Sequence, residues 1–216
     1  MLWDFDGTLA DTEPSWFEAE YALAAEHGAA WSDADALALV GSDLVDSGTY
    51  ICEKMGLDLA PATVVEQLLA QVEADVRRGV TWRPGSRELL SALREAEVPC
   101  ALVTMSYARL VSAALEQLPD DSFAAVVTGD QVSRGKPDPE AYLTAAHQLG
   151  VDPAACVAIE DSPSGTTAAV ASGAHVLVVP HTVDVPAGPR RTRVSSLEGL
   201  GVADLARLVA GDADEG

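Results

Sequence analysis

Near its start the chain reads Trp3-Asp4-Phe5-Asp6-Gly7-Thr8-Leu9-Ala10-Asp11, an apolar start followed by two carboxylates and a glycine. Residues i and i+2 of an extended segment point to the same side, so Asp4 and Asp6 converge while Phe5 turns toward a core. Gly7 permits a sharp exit from the strand. Two adjacent carboxylates repel each other and favour a cation between them, although the pattern alone also fits an ordinary acidic turn.

The composition is that of a globular protein in a reducing compartment, which predicts a cytoplasmic location. Hydrophobic residues make up 48% of the 216 and charged residues 22%. No apolar run approaches the roughly 18 residues that span a bilayer, and we expect no signal peptide. The three cysteines, Cys52, Cys100 and Cys156, are odd in number and widely spaced, which predicts neither disulfides nor a zinc site. Cys100 and Cys156 each open a strand-like run, which predicts that they are buried thiols.

The chain is strongly acidic, with 34 acidic and 13 basic residues and a formal net charge of −21. This balance argues against nucleic acid and anionic membranes as partners, because both attract basic proteins. Solubility explains the charge more simply than a cationic partner does. We expect a monomer. Because the overall charge repels anions, a site for an anionic ligand such as a phosphate ester would need positive groups close to the ligand.

Helical patterns without a convincing strand fill the segment from residue 13 to about residue 80. The four predicted helices are Glu13–His27, one that begins near Ser32, Ser42–Met55 and Pro61–Arg78. The last of these has an apolar stripe with a 3.6-residue period. A block of this size is small for an independent domain and fits an inserted lid.

After Trp82 helices alternate with short apolar strands, which predicts a parallel sheet covered on both faces. The predicted strands are Leu2–Phe5, Cys100–Thr104, Ala124–Thr128, Cys156–Ile159 and Val176–Val179. The predicted helices are Ser86–Glu97, Tyr107–Leu118, Pro139–Gly150, Ser164–Gly173 and Leu197–Val209, with an irregular loop over Thr182–Arg193 and a frayed tail over Gly211–Gly216. We therefore predict a doubly wound parallel α/β sheet, with a core of residues 1–12 and 82–216 and an inserted four-helix cap over residues 13–81. Because the first strand is short, we also expect a few residues ahead of Met1.

Polar residues follow the predicted strands, at the edge where doubly wound sheets bind ligands. They are Asp4-Phe5-Asp6, Thr104-Met105-Ser106, Thr128-Gly129-Asp130, Arg134-Gly135-Lys136-Pro137 and Glu160-Asp161-Ser162. Each has an ordinary alternative, since Ser106 and Glu160-Asp161 fit helix caps and Lys136 fits a solvated loop lysine. Together they place two acidic pairs, a hydroxyl and a lysine on one rim, which the ordinary alternatives do not explain.

The order of these motifs resembles the haloacid dehalogenase (HAD) superfamily of phosphohydrolases. DFDGT, LVT, GKP and EDSPSG stand here in the order of that superfamily's motifs, and the match covers nearly the whole chain. The helical insertion after the first motif resembles the C1 cap of the β-phosphoglucomutase-like branch. The resemblance implies a Rossmann-like core, a small phosphorylated substrate and a Mg²⁺ cofactor.

The resemblance also implies roles for the acidic residues. Asp4 would be the nucleophile that forms an aspartyl-phosphate, and Asp6 would act first as general acid and then as general base. Mg²⁺ would be held by the Asp4 carboxylate, the Asp6 backbone carbonyl and Asp161, with Glu160 acting through a water.

The remaining motif residues would bind the substrate. Thr104, Ser106 and the backbone N–H of Met105 would hold phosphoryl oxygens, and Lys136 would offset the charge of the phosphate and of Asp4. Trp16 would lie at the entrance for the leaving group.

These roles favour a Mg²⁺-dependent phosphatase over three alternatives. The sugar phosphomutases that the chain resembles carry a His where Trp16 stands and an Arg where Leu44 stands. A dehalogenase needs neither Asp6 nor the pair Glu160-Asp161. A catalytically idle binding module on the same fold is disfavoured because every catalytic position is filled.

The predicted cap bears on the substrate. Residues 14–79 hold three basic and twelve acidic residues, a formal charge of −9. Because this charge repels additional anions, we expect a small, singly phosphorylated substrate with a neutral or weakly polar leaving group.

Overall fold

A six-stranded parallel sheet forms the centre of the computed structural model, which describes residues 1–212. The strands are β1 (Leu2–Trp3), β2 (Ala101–Val103), β3 (Ala125–Val127), β4 (Val157–Glu160), β5 (His175–Val178) and β6 (Arg191–Arg193). They lie in the order β3-β2-β1-β4-β5-β6, which is the order of a doubly wound sheet and confirms the predicted fold class. The strand order reverses between β1 and β4, where such sheets bind their ligands.

Residues 1–212 form nine α-helices. They are α1 (Glu13–His27), α2 (Asp33–Leu39), α3 (Leu44–Met55), α4 (Pro61–Arg78), α5 (Ser86–Glu95), α6 (Ala108–Leu115), α7 (Glu140–Leu149), α8 (Pro163–Ser172) and α9 (Val202–Asp212). Two short 3₁₀ turns lie at Gly129–Gln131 and Pro153–Ala155. None of the described helices is long and apolar enough to cross a lipid bilayer.

Alternation along β1 divides the core into two apolar layers. Trp3 and Phe5 are fully buried in the layer that also contains the apolar residues of α5, α6 and α9. Leu2 lies in the other layer, with residues of α7 and α8 such as Tyr142 and Ala168. Burial of Trp3 and Phe5 on one side leaves Asp4 and Asp6 on the strand's other side, as their spacing predicts.

Helices α1–α4 stand between β1 and α5, and no strand falls in residues 13–80, all of which are described. The two connections to the sheet lie side by side, because Asp11 N–H donates to the Thr81 carbonyl at 2.8 Å and Arg83 N–H donates to the Leu9 carbonyl at 3.0 Å. The division into a core of residues 1–12 and 82–216 and a cap of residues 13–81 stays a prediction.

Two predictions near the C-terminus are wrong. Arg191–Arg193, predicted as part of a loop, pairs with β5 as an edge strand. The last helix begins at Val202 rather than Leu197, because Gly199 takes a φ of +77° in the turn before it. It also runs through Asp212, into the predicted frayed tail, whose remaining residues 213–216 lie outside the described part of the chain.

Candidate active site

The carboxyl ends of β1, β2 and β4 bring the predicted polar residues to one rim. Asp4 continues the pairing of β1, since its N–H donates to the Ile159 carbonyl at 3.1 Å. Gly7 then takes a φ of +78°, and a Cβ placed there would lie 2.2 Å from Glu13 Oε1 and 2.3 Å from Asp161 Oδ2. Only glycine fits both this backbone conformation and this contact.

Lys136 joins two of the acidic residues. Its Nζ donates to Asp4 Oδ1 and to Glu160 Oε1, both at 2.6 Å, and to the Val103 carbonyl at 3.0 Å. The lysine side chain is only 2% exposed. Burial alone would lower the pKa of Lys136, but the charges of Asp4 and Glu160 outweigh it and raise that pKa above its usual value. The lysine therefore stays charged in the site.

Asp6 is held by four side-chain donors. Thr12 Oγ1 and Trp16 Nε1 donate to Oδ1 at 2.6 and 3.2 Å, and Thr104 Oγ1 and Ser106 Oγ donate to Oδ2 at 3.0 and 2.8 Å. The two hydroxyls predicted to bind a phosphoryl group thus bind Asp6 in this structure. Asp6 consequently sits between the rim of the sheet and helix α1.

A second group of acids fits a divalent cation. One oxygen each from Asp4, Glu160 and Asp161 lie within 4.8 Å of one another. Burial, followed by the charge of Glu160, raises the pKa of Asp4 to about 8. Burial, followed by the charge of Asp4, raises the pKa of Asp161 well above its usual range. Acids so crowded and desolvated favour a bound cation over ionisation without one.

The individual oxygens show which acid has room for such a cation. Thr8 Oγ1 donates to Asp161 Oδ1 at 3.0 Å, while Asp161 Oδ2 is buried without a hydrogen-bond partner among the described residues. Glu160 has no spare oxygen, because Lys136 and Tyr142 donate to Oε1 and Ser162 Oγ donates to Oε2 at 3.1 Å. Asp161 is therefore the acid best placed to bind an ion directly, and Glu160 fits an indirect role.

A cleft of about 770 Å³, partly open to solvent, extends from this rim toward helices α1–α4. Its lining includes Asp4, Asp6, Thr104, Met105, Ser106 and Lys136 from the rim and Trp16 and Leu44 from the helices. A lining of apolar side chains with a few charged groups and hydroxyls suits a small organic ligand.

Some predicted polar residues lie elsewhere. Asp130 caps the start of α6, since its Oδ1 accepts the N–H of Ala108 at 3.1 Å. Arg134 points away and pairs with Asp138 and Glu140. These two positions therefore serve local structure.

Three residues at the site were missed by sequence reasoning. The Tyr142 hydroxyl donates to Glu160 Oε1 at 2.5 Å and carries no motif signal. Glu13 and Glu20 are buried acids that line the cleft, and burial raises the pKa of each to about 7. The signal for Glu20 is its spacing, because it stands four residues after Trp16 and three before Leu23 on one helix face.

Comparisons with known proteins agree with this geometry. A family model described as haloacid dehalogenase-like hydrolase matches residues 1–179. Hexitol phosphatase A of Escherichia coli strain K12 is 34% identical over 186 residues, which cover 86% of this chain and 85% of that protein.

Solved structures show the same architecture. CbbY from Rhodobacter sphaeroides in complex with phosphate superposes with a TM-score of 0.85 at 27% identity, covering 94% of this chain and 97% of that one. A mutant of CbbY in complex with xylulose-(1,5)bisphosphate gives 0.82 at 26% identity, with the same coverage. β-Phosphoglucomutase from Clostridium difficile gives 0.81 at 19% identity, covering 99% and 97%, which shows the fold alone. The chain thus belongs to the haloacid dehalogenase-like hydrolase family and is a phosphoric monoester hydrolase.

Proposed function

We propose that this protein is a Mg²⁺-dependent phosphatase that hydrolyses a small phosphomonoester through an aspartyl-phosphate at Asp4. The observation that supports it most is the surroundings of Asp4, which lines the cleft, is bound by Lys136 and has an oxygen within 4.8 Å of one oxygen each of Glu160 and Asp161. Asp6 stands at the same rim, where it can exchange protons with a leaving group.

The chemistry follows from the two aspartates. The Asp4 oxygen that Lys136 does not hold attacks phosphorus, and the bond from phosphorus to the leaving oxygen breaks as Asp6 gives that oxygen a proton. Asp6 then takes a proton from a water whose oxygen attacks the phosphorus of the aspartyl-phosphate. The bond between Asp4 and phosphorus breaks, which releases inorganic phosphate and restores both carboxyl groups.

The acidic cluster supplies the metal site of this proposal. Asp4, Asp161 and the backbone carbonyl of Asp6 would hold Mg²⁺, with Glu160 acting through a water. The ion would offset the negative charge on the phosphoryl oxygens as Asp4 approaches them. Lys136 supports the same task at Asp4, because its ammonium is fixed by two carboxylates and a carbonyl.

The hydroxyls of Thr104 and Ser106 connect substrate binding to the motion of Asp6. Both donate to Asp6 Oδ2 here. We propose that they, together with the N–H of Met105, turn to the phosphoryl oxygens when substrate binds. Asp6 is then free to move toward the leaving oxygen. Without substrate, the carboxyl group of Asp6 stays hydrogen-bonded to Thr104 and Ser106.

The cleft favours hydrolysis over a mutase reaction. Trp16 and Leu44 line it where the resembled mutases carry polar side chains, and Leu44 is 8% exposed. Fewer polar groups remain to hold a sugar phosphate in two orientations. We propose that the cap, residues 13–81, acts as a lid that admits a small leaving group and closes over the phosphoryl site.

A panel of phosphate esters tests this function. We expect p-nitrophenyl phosphate and sugar monophosphates to be hydrolysed with Mg²⁺, and hydrolysis to stop with EDTA and return on adding Mg²⁺. Full activity after thorough chelation would exclude the metal. Sustained isomerisation of β-glucose 1-phosphate, with little phosphate released, would instead favour the mutase.

A further inference from the structure

We propose that Glu20 selects the substrate by accepting hydrogen bonds from the hydroxyls of a polyhydroxylated leaving group. This inference rests on the proposed phosphatase function and narrows its substrate class to sugar or polyol monophosphates. Glu20 would determine which leaving group is bound, while the residues at the rim of the sheet carry out the phosphoryl transfer.

Glu20 is an acid on the buried face of helix α1. It is 4% exposed, yet it lines the cleft. Its buried neighbours on the helix are mostly small or apolar, among them Ala19, Leu23 and Ala24. Burying a carboxyl group in such surroundings is costly unless hydrogen bonds compensate for the lost water. The position therefore requires partners.

Within residues 1–212 the protein provides a partner for only one of the two oxygens. Trp31 Nε1 donates to Glu20 Oε2 at 3.1 Å, and no described donor or cation reaches Oε1. Burial raises the pKa of Glu20 to about 7, and the Trp31 hydrogen bond only partly opposes this shift. A carboxylate accepts about four hydrogen bonds and a neutral carboxyl accepts fewer, so in either form Glu20 has capacity left for a hydroxyl in the cleft.

The location of Glu20 suits the far part of a leaving group. Trp16 lies one helical turn earlier, and its Nε1 donates to Asp6 Oδ1 at 3.2 Å. The four residues from Trp16 to Glu20 advance about 6 Å along the helix. Glu20 therefore lies further along the helix than Trp16, the residue that contacts Asp6, and this position suits the hydroxyls of a leaving group better than its phosphate.

The charges around the cleft favour hydroxyls over a second anion. Among its described lining residues, four are acidic (Asp4, Asp6, Glu13 and Glu20) and one is basic, Lys136. The ammonium of Lys136 is already bound to Asp4 and Glu160. A second phosphate would meet Glu20 without a cation to compensate, whereas a neutral hydroxyl gains a hydrogen bond.

The competing explanation is that Glu20 has a structural role alone, in which its hydrogen bond to Trp31 holds that side chain in position. Trp31 also packs edge-on against Tyr50, with ring centroids 6.1 Å apart. If Glu20 had this role alone, its replacement would lower the melting temperature and reduce the hydrolysis of every substrate alike. Selectivity between substrates would not change.

A matched pair of substrates separates the two explanations. Sorbitol 6-phosphate and hexyl phosphate have the same six-carbon chain and differ in the hydroxyls, so the ratio of their kcat/KM values isolates hydroxyl recognition. The variants are Glu20→Gln, which keeps the shape and the acceptor for Trp31, and Glu20→Leu, which removes every acceptor. Glu18→Gln on the exposed side of the same helix is the control.

We expect wild type and Glu18→Gln to prefer sorbitol 6-phosphate, and Glu20→Leu to reduce that ratio by at least about tenfold, the effect of losing a hydrogen bond to a charged acceptor. Glu20→Gln should give an intermediate ratio. An unchanged ratio in Glu20→Leu, with hexyl phosphate still hydrolysed, would overturn the role of Glu20 and leave the phosphatase standing. If the wild type hydrolysed no phosphate ester at all, both proposals would fall.

Discussion

Asp4 and Asp6 have different surroundings, and this difference separates their proposed tasks. Asp4 is 6% exposed and held on one oxygen by Lys136, which leaves its other oxygen for attack. Asp6 accepts four hydrogen bonds from residues that line the cleft or border it. These donors can be exchanged as substrate enters, so Asp6 suits proton transfer and Asp4 suits covalent attack.

Replacing Asp4 tests the nucleophile. Asp4→Asn should lower kcat by about a thousandfold or more, because the amide has the carboxylate's shape but not its nucleophilicity. Far-UV circular dichroism should be unchanged, since the side-chain volume is kept. Asp120→Asn on the exposed surface is the control and should keep full activity. Retained turnover in Asp4→Asn would refute covalent catalysis.

Glu20 should also make stability depend on pH. Its pKa rises from the ordinary 4.5 to about 7 in the folded protein, through burial and with no charged group contributing. The folded protein therefore binds this proton more tightly, and stability falls as pH rises from the unfolded pKa through the folded one. Relative to wild type, Glu20→Gln should gain in melting temperature between pH 5 and 8, while Glu18→Gln should not. A constant difference across that range would contradict the shift.

The sequence predicted the site residues at the rim of the sheet better than the polar residues that the neighbouring helices contribute. Asp4, Lys136 and Glu160 come from motifs, and the structure places them within hydrogen-bond distance. Tyr142 carries no motif signal, and the spacing of Glu20 from Trp16 and Leu23 indicates a shared helix face but no chemical role. Their roles follow from burial, which only the folded chain reveals.

The loop between α2 and α3 contacts the segment that follows β4. Gly41 takes a φ of +71°, and a Cβ there would lie 2.6 Å from Ser162 Cβ. Ser164 Oγ also donates a hydrogen bond to the Gly41 carbonyl. Since Ser162 follows Asp161 directly, this contact lies next to the proposed metal site.

Gly41→Ala should therefore hold the cleft open. The new Cβ forces the loop away from Ser162, and we expect kcat/KM to fall by about tenfold or more through misplacement of the lid. Gly56→Ala is a matched control, because Gly56 has a φ of +66° with nothing within 4 Å of its Cβ. Because both glycines have a similar positive φ, the backbone strain should lower the melting temperature of the two variants by a similar amount. Equal activity of the two variants would show that the contact is not needed.

Elements with strong apolar periods were predicted well, and polar elements were not. Helix α4 has the predicted bounds, Pro61–Arg78, and its six buried residues form the expected stripe. Strand β6 was missed because it is a three-residue edge strand of Arg-Thr-Arg with one neighbour, β5. Such a strand needs no apolar run, and the Pro and Gly residues before it indicate a loop.

At the scale of the whole molecule, the net charge of −21 opposes an anionic substrate. Salt screens this repulsion beyond about 8 Å at physiological ionic strength. At constant saturating Mg²⁺, kcat/KM should therefore rise about two- to fivefold when KCl increases from about 10 to 150 mM. A fall over the same range would mean that local positive groups attract the substrate from a distance.

The overall architecture could be predicted because the pattern of apolar residues along the chain matches the order of helices and strands in the structure. Helix-only patterning up to residue 80 and alternation after Trp82 correspond to α1–α4 and to the doubly wound sheet. What the sequence left open is how closely the two parts meet, because that depends on packing between distant residues such as Gly41 and Ser162. The domain boundaries remain a prediction for the same reason.

Trapping the phosphorylated protein tests the central claim most directly. Asp6→Asn can still be phosphorylated by p-nitrophenyl phosphate, whose leaving group needs no proton, but it lacks the base that activates water. After incubation with Mg²⁺ and an acid quench, mass spectrometry should find one phosphoryl group, located on Asp4, and none when EDTA is present or in the double variant with Asp4→Asn. Steady hydrolysis by the wild type, with no phosphorylated Asp4 in Asp6→Asn or with phosphate on another residue, would contradict the account.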